Sequence, residues 1–364
     1  MHTVSVNELR PGMITADHVV SRYGQLIVEK NRILSYQMIA HIRYYGITKV
    51  AITDGEPPSE AIEHFETEQN AVLSYNEKIK KSPQFLYFKK EYDQKVDFLQ
   101  DSLNDLIVRN IPCDMDHLLE QTLCLFQQNS TTISMFDMLH NMRRINDSTY
   151  AHSLNVAIIG RMIGMWTGLD KKDLDVLTLG GLLHDIGKCM IANEIINKPG
   201  ALTDAEYAEI KKHPRYGYEI VKDLSIDPRV KKIVLNHHER CDGTGYPTGL
   251  YGDDIDDFSD IISIADVYDA MTADRCYRSG MCPFEVIATF EKEGLEKYKP
   301  QYILTFLEHI ANTYINNDVL LSNGQTGKIV LINKQHLTRP VIQMSDDKFI
   351  NLETQPDLYV QAII

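Results

Sequence analysis

Gly180-Gly181-Leu182-Leu183-His184-Asp185-Ile186-Gly187-Lys188 places a histidine and an aspartate at the end of an apolar run, with a lysine three residues beyond the aspartate. The run reads as a helix, and Gly187 stands where a left-handed C-cap would end it. Two polar groups delivered by an apolar helix are unfavourable unless they are paired or bind a metal. A lone histidine in such a run is most often a hydrogen-bonded core residue; the adjacent His184-Asp185 pair followed by Lys188 turns the reading toward metal chemistry.

Outward from that stretch, a second adjacent pair, His237-His238, closes another predicted helix in Val234-Leu-Asn-His-His-Glu-Arg240. Neighbours on a helix point about 100° apart, so this pair suits two ions lying side by side better than one. His152, His213 and Asp266 complete a candidate dinuclear set. Imidazole and carboxylate ligands favour iron, manganese or zinc over calcium or a thiolate-bound cluster.

The surroundings are helical. From about Thr132 to Asn316 almost every segment carries helical periodicity, broken at Gly168, Pro199-Gly200, Pro214, Pro228, the glycines between 243 and 252, Pro283 and Pro300. Ahead of it, Phe85, Phe88, Tyr92, Val96, Leu99, Leu103 and Leu106 form an apolar helical stripe, which reads first as a packing helix backed by solvent and, as an alternative, as a dimerising stalk. Residues 1 to about 55 alternate short apolar runs with turns and read as a few strands around one helix, N-capped by Ser35, with Met38, Ile39, Ile42 and Tyr45 on one face and Gly46 at its end. After Ser322 the period changes again: 327–332, 340–344 and 358–364 read as strands of a three- to five-stranded appendage. The expected fold is mainly α, a helical domain with a small α+β N-terminal domain and a short β C-terminal appendage. The boundaries are 1–58 for the first domain, 59–131 for a linker and helical region, 132–319 for the helical domain and 320–364 for the appendage.

Composition narrows the function classes. Among 364 residues, 37 Lys and Arg stand against 51 Asp and Glu, a net charge of −14 that repels a nucleic-acid backbone. The N-terminus lacks a basic start and apolar core, and Arg161 interrupts the longest apolar stretch, so no membrane span is expected. The six cysteines form no CxxC pair, consistent with reduced thiols in a cytoplasmic protein.

Taken together, His184-Asp185-Ile-Gly-Lys188, His213-Pro214 with Gly217, His237-His238-Glu239-Arg240, Asp242-Gly-Thr-Gly-Tyr-Pro247, Ala265-Asp266-Val-Tyr-Asp-Ala-Met-Thr272 and Asp274-Arg-Cys-Tyr-Arg278 resemble, in order, the motifs of the HD-GYP family of HD metal-dependent phosphohydrolases. The likeness covers about residues 132 to 316, and the N-terminal module is similar to a small domain often found ahead of such domains. The resemblance implies a helical catalytic domain that hydrolyses cyclic di-GMP to the linear dinucleotide pGpG, with GMP as a further product. It implies metal ligation by His152, His184, Asp185, His213, His237, His238 and Asp266, with Asp185 bridging two ions of iron, manganese or zinc. Asp185 and Lys188 would be catalytic, Lys188 facing the scissile phosphate. The loop Gly245-Tyr246-Pro247 would shape the substrate site, and Arg275 and Arg278 would meet phosphate oxygens. Some family members carry a glutamate four residues before the first histidine, where it helps hold a third metal; Ser148 stands there in this chain, so two metals are expected. Alternative readings are a regulatory module that docks a diguanylate cyclase or another signalling protein, and a hydrolase of a related cyclic dinucleotide.

Overall fold

The computed structural model describes residues 2–10, 12–20, 26–34, 38, 39, 42, 47–53, 75–109, 111–127, 131–142, 148–196, 198, 200–273, 280–346 and 348–364. The chain divides into two compact units, Met1–Leu73 and Ser74–Ile364.

The first unit contains β1 (His2–Ser5), β2 (Ile14–Thr15), β3 (Val19–Val20), β4 (Leu26–Val28) and β5 (Lys49–Thr53). β1, β5 and β2 form an antiparallel sheet in that order, and β3 pairs with β4. The register sets Val4 opposite Val50 and His2 opposite Ile52. The two-residue period then turns Val50 and Ile52 into a small core with Val4, Leu34, Ile39 and Ile42. Met38, Ile39 and Ile42 are helical, as their spacing predicts. Ser35, Tyr45 and Gly46 lie outside the described residues, as does 54–74 of the expected linker.

The second unit begins with α1 (Tyr75–Lys81) and α2 (Pro83–Val108), followed by α3 (Met115–Gln127), α4 (Thr132–Met142), α5 (Thr149–Trp166) and α6 (Lys171–Leu183). Then come α7 (Asn193–Ile196), α8 (Asp204–Ile210), α9 (His213–Val221), α10 (Pro228–Asn236), α11 (Asp257–Thr272), α12 (Pro283–Lys297) and α13 (Pro300–Thr313). Ser82 starts α2 by accepting the Phe85 amide, with Pro83 in the first turn. The stripe from Phe85 to Leu103 is buried in this unit's own core, each large side chain contributing about 1.5–3 kcal/mol. The apolar face that suggested a dimerising stalk is therefore already covered. Tyr92 ties α2 to α5, its Oη 2.7 Å from Asn155 Oδ1 and 3.1 Å from the Ala151 carbonyl.

α5 is buried along most of its length. A Cβ on Gly181 would stand 2.5 Å from the Ala157 Cα, so glycine lets α6 lie directly on the α5 backbone. Gly187 does not end that helix: α6 stops at Leu183, His184 remains in the right-handed region, and Ile186–Met190 form a 3-10 turn. The reason for glycine is space, since a Cβ on Gly187 would lie 2.0 Å from the His213 carbonyl oxygen. This close approach brings the start of α9 against His184-Asp185.

The C-terminal strands β6 (Asp318–Leu321), β7 (Thr326–Asn333), β8 (His336–Met344), β9 (Phe349–Asn351) and β10 (Val360–Ile363) form one antiparallel sheet, ordered β10-β6-β7-β8-β9. Val319, Leu321, Ile329, Ile342, Val360 and Ile363 from this sheet join the same core as the helices. Among the described residues no helix is long and apolar enough to cross a membrane.

Candidate metal centre

Four helix ends and the middle of α11 converge on one point. Ser148 N-caps α5 by accepting the Ala151 amide, and His152 follows within the first turn. His184 and Asp185 leave the end of α6, His213 opens α9, His237 caps α10 with His238 beyond it, and Asp266 projects from α11. Two groups have ligand atoms within 4.8 Å of one another, Asp185 with His213, His237 and His238, and Asp185 with His152 and His184. Asp266 Oδ1 lies 3.1 Å from His152 Nε2 and 3.9 Å from His184 Nε2, and its Oδ2 lies 3.7 Å from His238 Nδ1. All seven expected ligands thus meet in one cluster. His237 and His238 join the same group because the helix ends at Asn236, so the helical 100° separation no longer governs His238.

The hydrogen bonds fix what this cluster can hold. Three imidazoles turn Nδ1 toward backbone carbonyls: His184 to Gly181 at 2.7 Å, His213 to Ile210 at 2.7 Å, and His237 to Val234 at 3.1 Å. A carbonyl accepts only, so each Nδ1 donates, and in the neutral ring each Nε2 keeps a lone pair. These lone pairs face acceptors. His184 Nε2 is 3.3 Å from Asp185 Oδ2, while His213 Nε2 and His237 Nε2 stand 3.3 and 3.8 Å from Asp185 Oδ1 and 3.2 Å from each other. His184 Nε2 and Asp185 Oδ1 are buried with no hydrogen-bond partner. A buried acceptor left without a donor is unfavourable by about 1–3 kcal/mol, and a cation among these atoms relieves several at once. The donor set fits borderline divalent metals, and the sharing of Asp185 between two groups fits a pair of ions.

Protonation agrees with that fit. Burial, reinforced by the neighbouring imidazoles, holds His237 well below the usual histidine range; burial outweighs the nearby Asp266 and brings His238 down to about 3. Both rings are neutral near pH 7. Burial raises both carboxyls, but Lys188 beside Asp185 and the hydrogen bond from His152 to Asp266 overcome it and hold each well below the usual carboxylate range. His152 behaves differently: burial disfavours its charge, but hydrogen bonds to Asp266 and Asp269 push it up to about 9. A divalent ion at His152 Nε2 would displace that proton.

Lys188 Nζ lies 2.5 Å from Asp185 Oδ2. The Tyr246 ring stacks on His238 at 4.6 Å between centroids, 29° from parallel. Gly245 is required where the loop turns, since a Cβ there would come within 2.4 Å of the Arg240 amide nitrogen. Arg275 and Arg278 lie outside the described residues.

Two functional residues carried a readable signal that the motif assignment passed over. Asp269 accepts from His152 Nδ1 at 2.8 Å and fixes that ring; its signal is Asp-x-x-Asp, which places Asp266 and Asp269 on one face of an apolar helix. Glu239 is buried and accepts the amides of Thr248, Gly249 and Leu250 at 2.7–3.2 Å, which organises the turn after Pro247. An acid beside two histidines is its only trace in the sequence.

One turn and a half before Asp266 on α11 lies a second buried polar group. Asp260 Oδ2 accepts the Lys299 amide at 3.0 Å, and Arg240 contacts the Ser263 hydroxyl. Burial raises the Asp260 carboxyl to about 7 against its Lys299 hydrogen bond.

Residues 125–302 match the family of HD domains. The chain is 34% identical over 209 residues to a cyclic di-GMP phosphodiesterase of Pseudomonas aeruginosa, over 57% of this chain and 50% of that protein. It is 42% identical over 148 residues to 3'3'-cGAMP-specific phosphodiesterase 1 of Vibrio cholerae, over 40% of this chain and 34% of that protein. The chain therefore spans half or less of these relatives. Among solved structures, an HDG"Y"P protein from Bdellovibrio bacteriovorus shares the fold with a TM-score of 0.50 at 18% identity, covering 85% of this chain and 99% of that one.

Proposed function

Because the chain belongs to the HD-GYP family of HD domain proteins, we propose that it is a metal-dependent phosphodiesterase that opens cyclic dinucleotides, with cyclic di-GMP as its substrate and linear pGpG as the first product. The observation that carries this reading is the convergence of three Nε2 lone pairs on the two oxygens of Asp185.

His152, His184, Asp185 and Asp266 would hold one divalent ion, and Asp185, His213, His237 and His238 the other. Iron or manganese suits the mixed set best, and zinc is compatible. Such ions supply Lewis acidity and a nucleophilic water near neutral pH. The chain supplies the geometry. Asp185, buried and ionised, orients the nucleophile. Lys188, held at 2.5 Å from Asp185, presents positive charge where it builds on the phosphoryl oxygens. Asp269 holds the His152 ring, and Tyr246 forms a flat wall beside His238. Ser148 supports two ions rather than three, since its hydroxyl serves as a helix cap and serine is a poor ligand for such cations.

The test is turnover of cyclic di-GMP by metal-loaded protein beside a His184→Ala, Asp185→Ala variant. The reading predicts conversion to pGpG and a loss of about 10³-fold or more in the variant; equal turnover by both would overturn it. The Vibrio relative favours one second reading, preference for a mixed cyclic GMP-AMP. A kcat/KM on that substrate above the value for cyclic di-GMP would establish it. Docking of a diguanylate cyclase would be a separate function, and partner binding that survives the double variant would support it.

A further inference from the structure

A cyclic dinucleotide carries two phosphates on opposite sides of one ring, and the centre around Asp185 accounts for only one. A chain of charge −14 must offer local cations to the other. Lys188 is paired with Asp185, and Lys212 with Glu209 at 2.6 Å. Arg275 and Arg278, which the family resemblance sets against phosphate oxygens, lie outside the described residues; Lys211 and Arg215, two residues to either side of His213, have no carboxylate partner among the described residues.

Both line a cavity of about 390 Å³ together with Lys212, Tyr216, Tyr246 and Pro247. Its wall is fixed. Tyr246 stacks on His238, Arg215 donates to the Pro247 carbonyl at 3.2 Å, and Glu239 ties down the residues that follow. Lys211 Nζ lies 4.6 Å from the Tyr207 ring centre and 5.5 Å from that of Tyr246. Its three N–H donors and those of Arg215 not engaged by Pro247 face a pocket one ring away from a candidate metal ligand.

We propose that Lys211 and Arg215, beside Tyr246, form a second phosphate subsite that holds the non-scissile phosphate of the cyclic dinucleotide while the scissile phosphate lies over Asp185. The proposal rests on the phosphodiesterase reading and adds to it the residues that distinguish a two-phosphate ring from a simple diester. Lys211 and Arg215 are positioning and affinity groups, apart from the reacting atoms.

The experiment titrates cyclic di-GMP into the metal-loaded full chain, into a Lys211→Ala, Arg215→Ala variant and into a Lys222→Ala control, and follows hydrolysis of bis(4-nitrophenyl) phosphate, which has one phosphate. Loss of two charge-assisted contacts should weaken cyclic di-GMP binding by about 10- to 100-fold and flatten its salt dependence. The loss in kcat/KM on the single-phosphate diester should stay below about threefold, and Lys222→Ala should match the parent. Unchanged affinity in the double variant, or equal losses on both compounds, would overturn the proposal. A parent that cleaves the simple diester but neither binds nor cleaves a cyclic dinucleotide would overturn the functional reading first, and that failure is visible before any variant is made.

Discussion

Two buried polar clusters share α11, and they are built on opposite rules. Around Asp260 polar groups meet complements: Oδ2 accepts the Lys299 amide, and Arg240 meets Ser263. Around Asp185 lone pairs face lone pairs, and His184 Nε2 and Asp185 Oδ1 have no hydrogen-bond donor. Buried polar groups in folded proteins are nearly always satisfied. A satisfied cluster closes a structure, whereas an unsatisfied one at the meeting point of five helices is a receptacle for cations.

The contrast can be broken in three ways. The largest effect concerns ligand-linked stability: a divalent ion at 100 to 1,000 times its dissociation constant should stabilise the parent by about 3–4 kcal/mol. In Asp185→Ala the shift should vanish, while Asp260→Asn should keep it, as read by thermal melts with and without manganous ion. Next, Asp269→Asn should weaken metal binding by about 10- to 100-fold, because the partner that orients His152 is lost. Competition with a chelating dye measures this, and an unchanged affinity would show that His152 needs no anchor.

The smallest effect belongs to Asp260 and has a sign that depends on pH. Its folded value of about 7 lies above the ordinary 3.8, so its stabilising effect is complete below 3.8 and is lost as pH rises through about 7. At about 1.4 kcal/mol per pH unit the loss is capped near 4 kcal/mol, and the new amide donor of Asp260→Asn offsets about 1–3 of it. The variant should be about 1–3 kcal/mol more stable than the parent at pH 8 and no more stable at pH 5. Denaturant melts at the two pH values check this, and parallel curves would contradict it.

The helices and the C-terminal strands were legible because they rest on local signals, and the clustering of the seven candidate ligands was legible from two adjacent pairs together with the order of the motifs that bring in His152, His213 and Asp266. Period fixes the helices and strands, and the chemical oddity of His184-Asp185 and His237-His238 marks the site. The role of Gly187 was not, since the clash that demands glycine comes from His213, 26 residues away. The destination of the α2 stripe was hidden for the same reason: an apolar face shows that something covers it, and only the packing against α5 shows what. Lys211 and Arg215 carry no signal of their own in the sequence. Their place beside Tyr246 depends on a loop more than 30 residues later in the chain.

The measurement that bears most directly on the cluster around Asp185 is metal content per chain, by mass spectrometry of protein purified without chelator and loaded with ferrous or manganous ion. The account predicts about two equivalents in the parent and fewer than about one in Asp185→Ala, because that carboxylate would serve both ions. Equal metal content in parent and variant, or three equivalents at full occupancy, would contradict it.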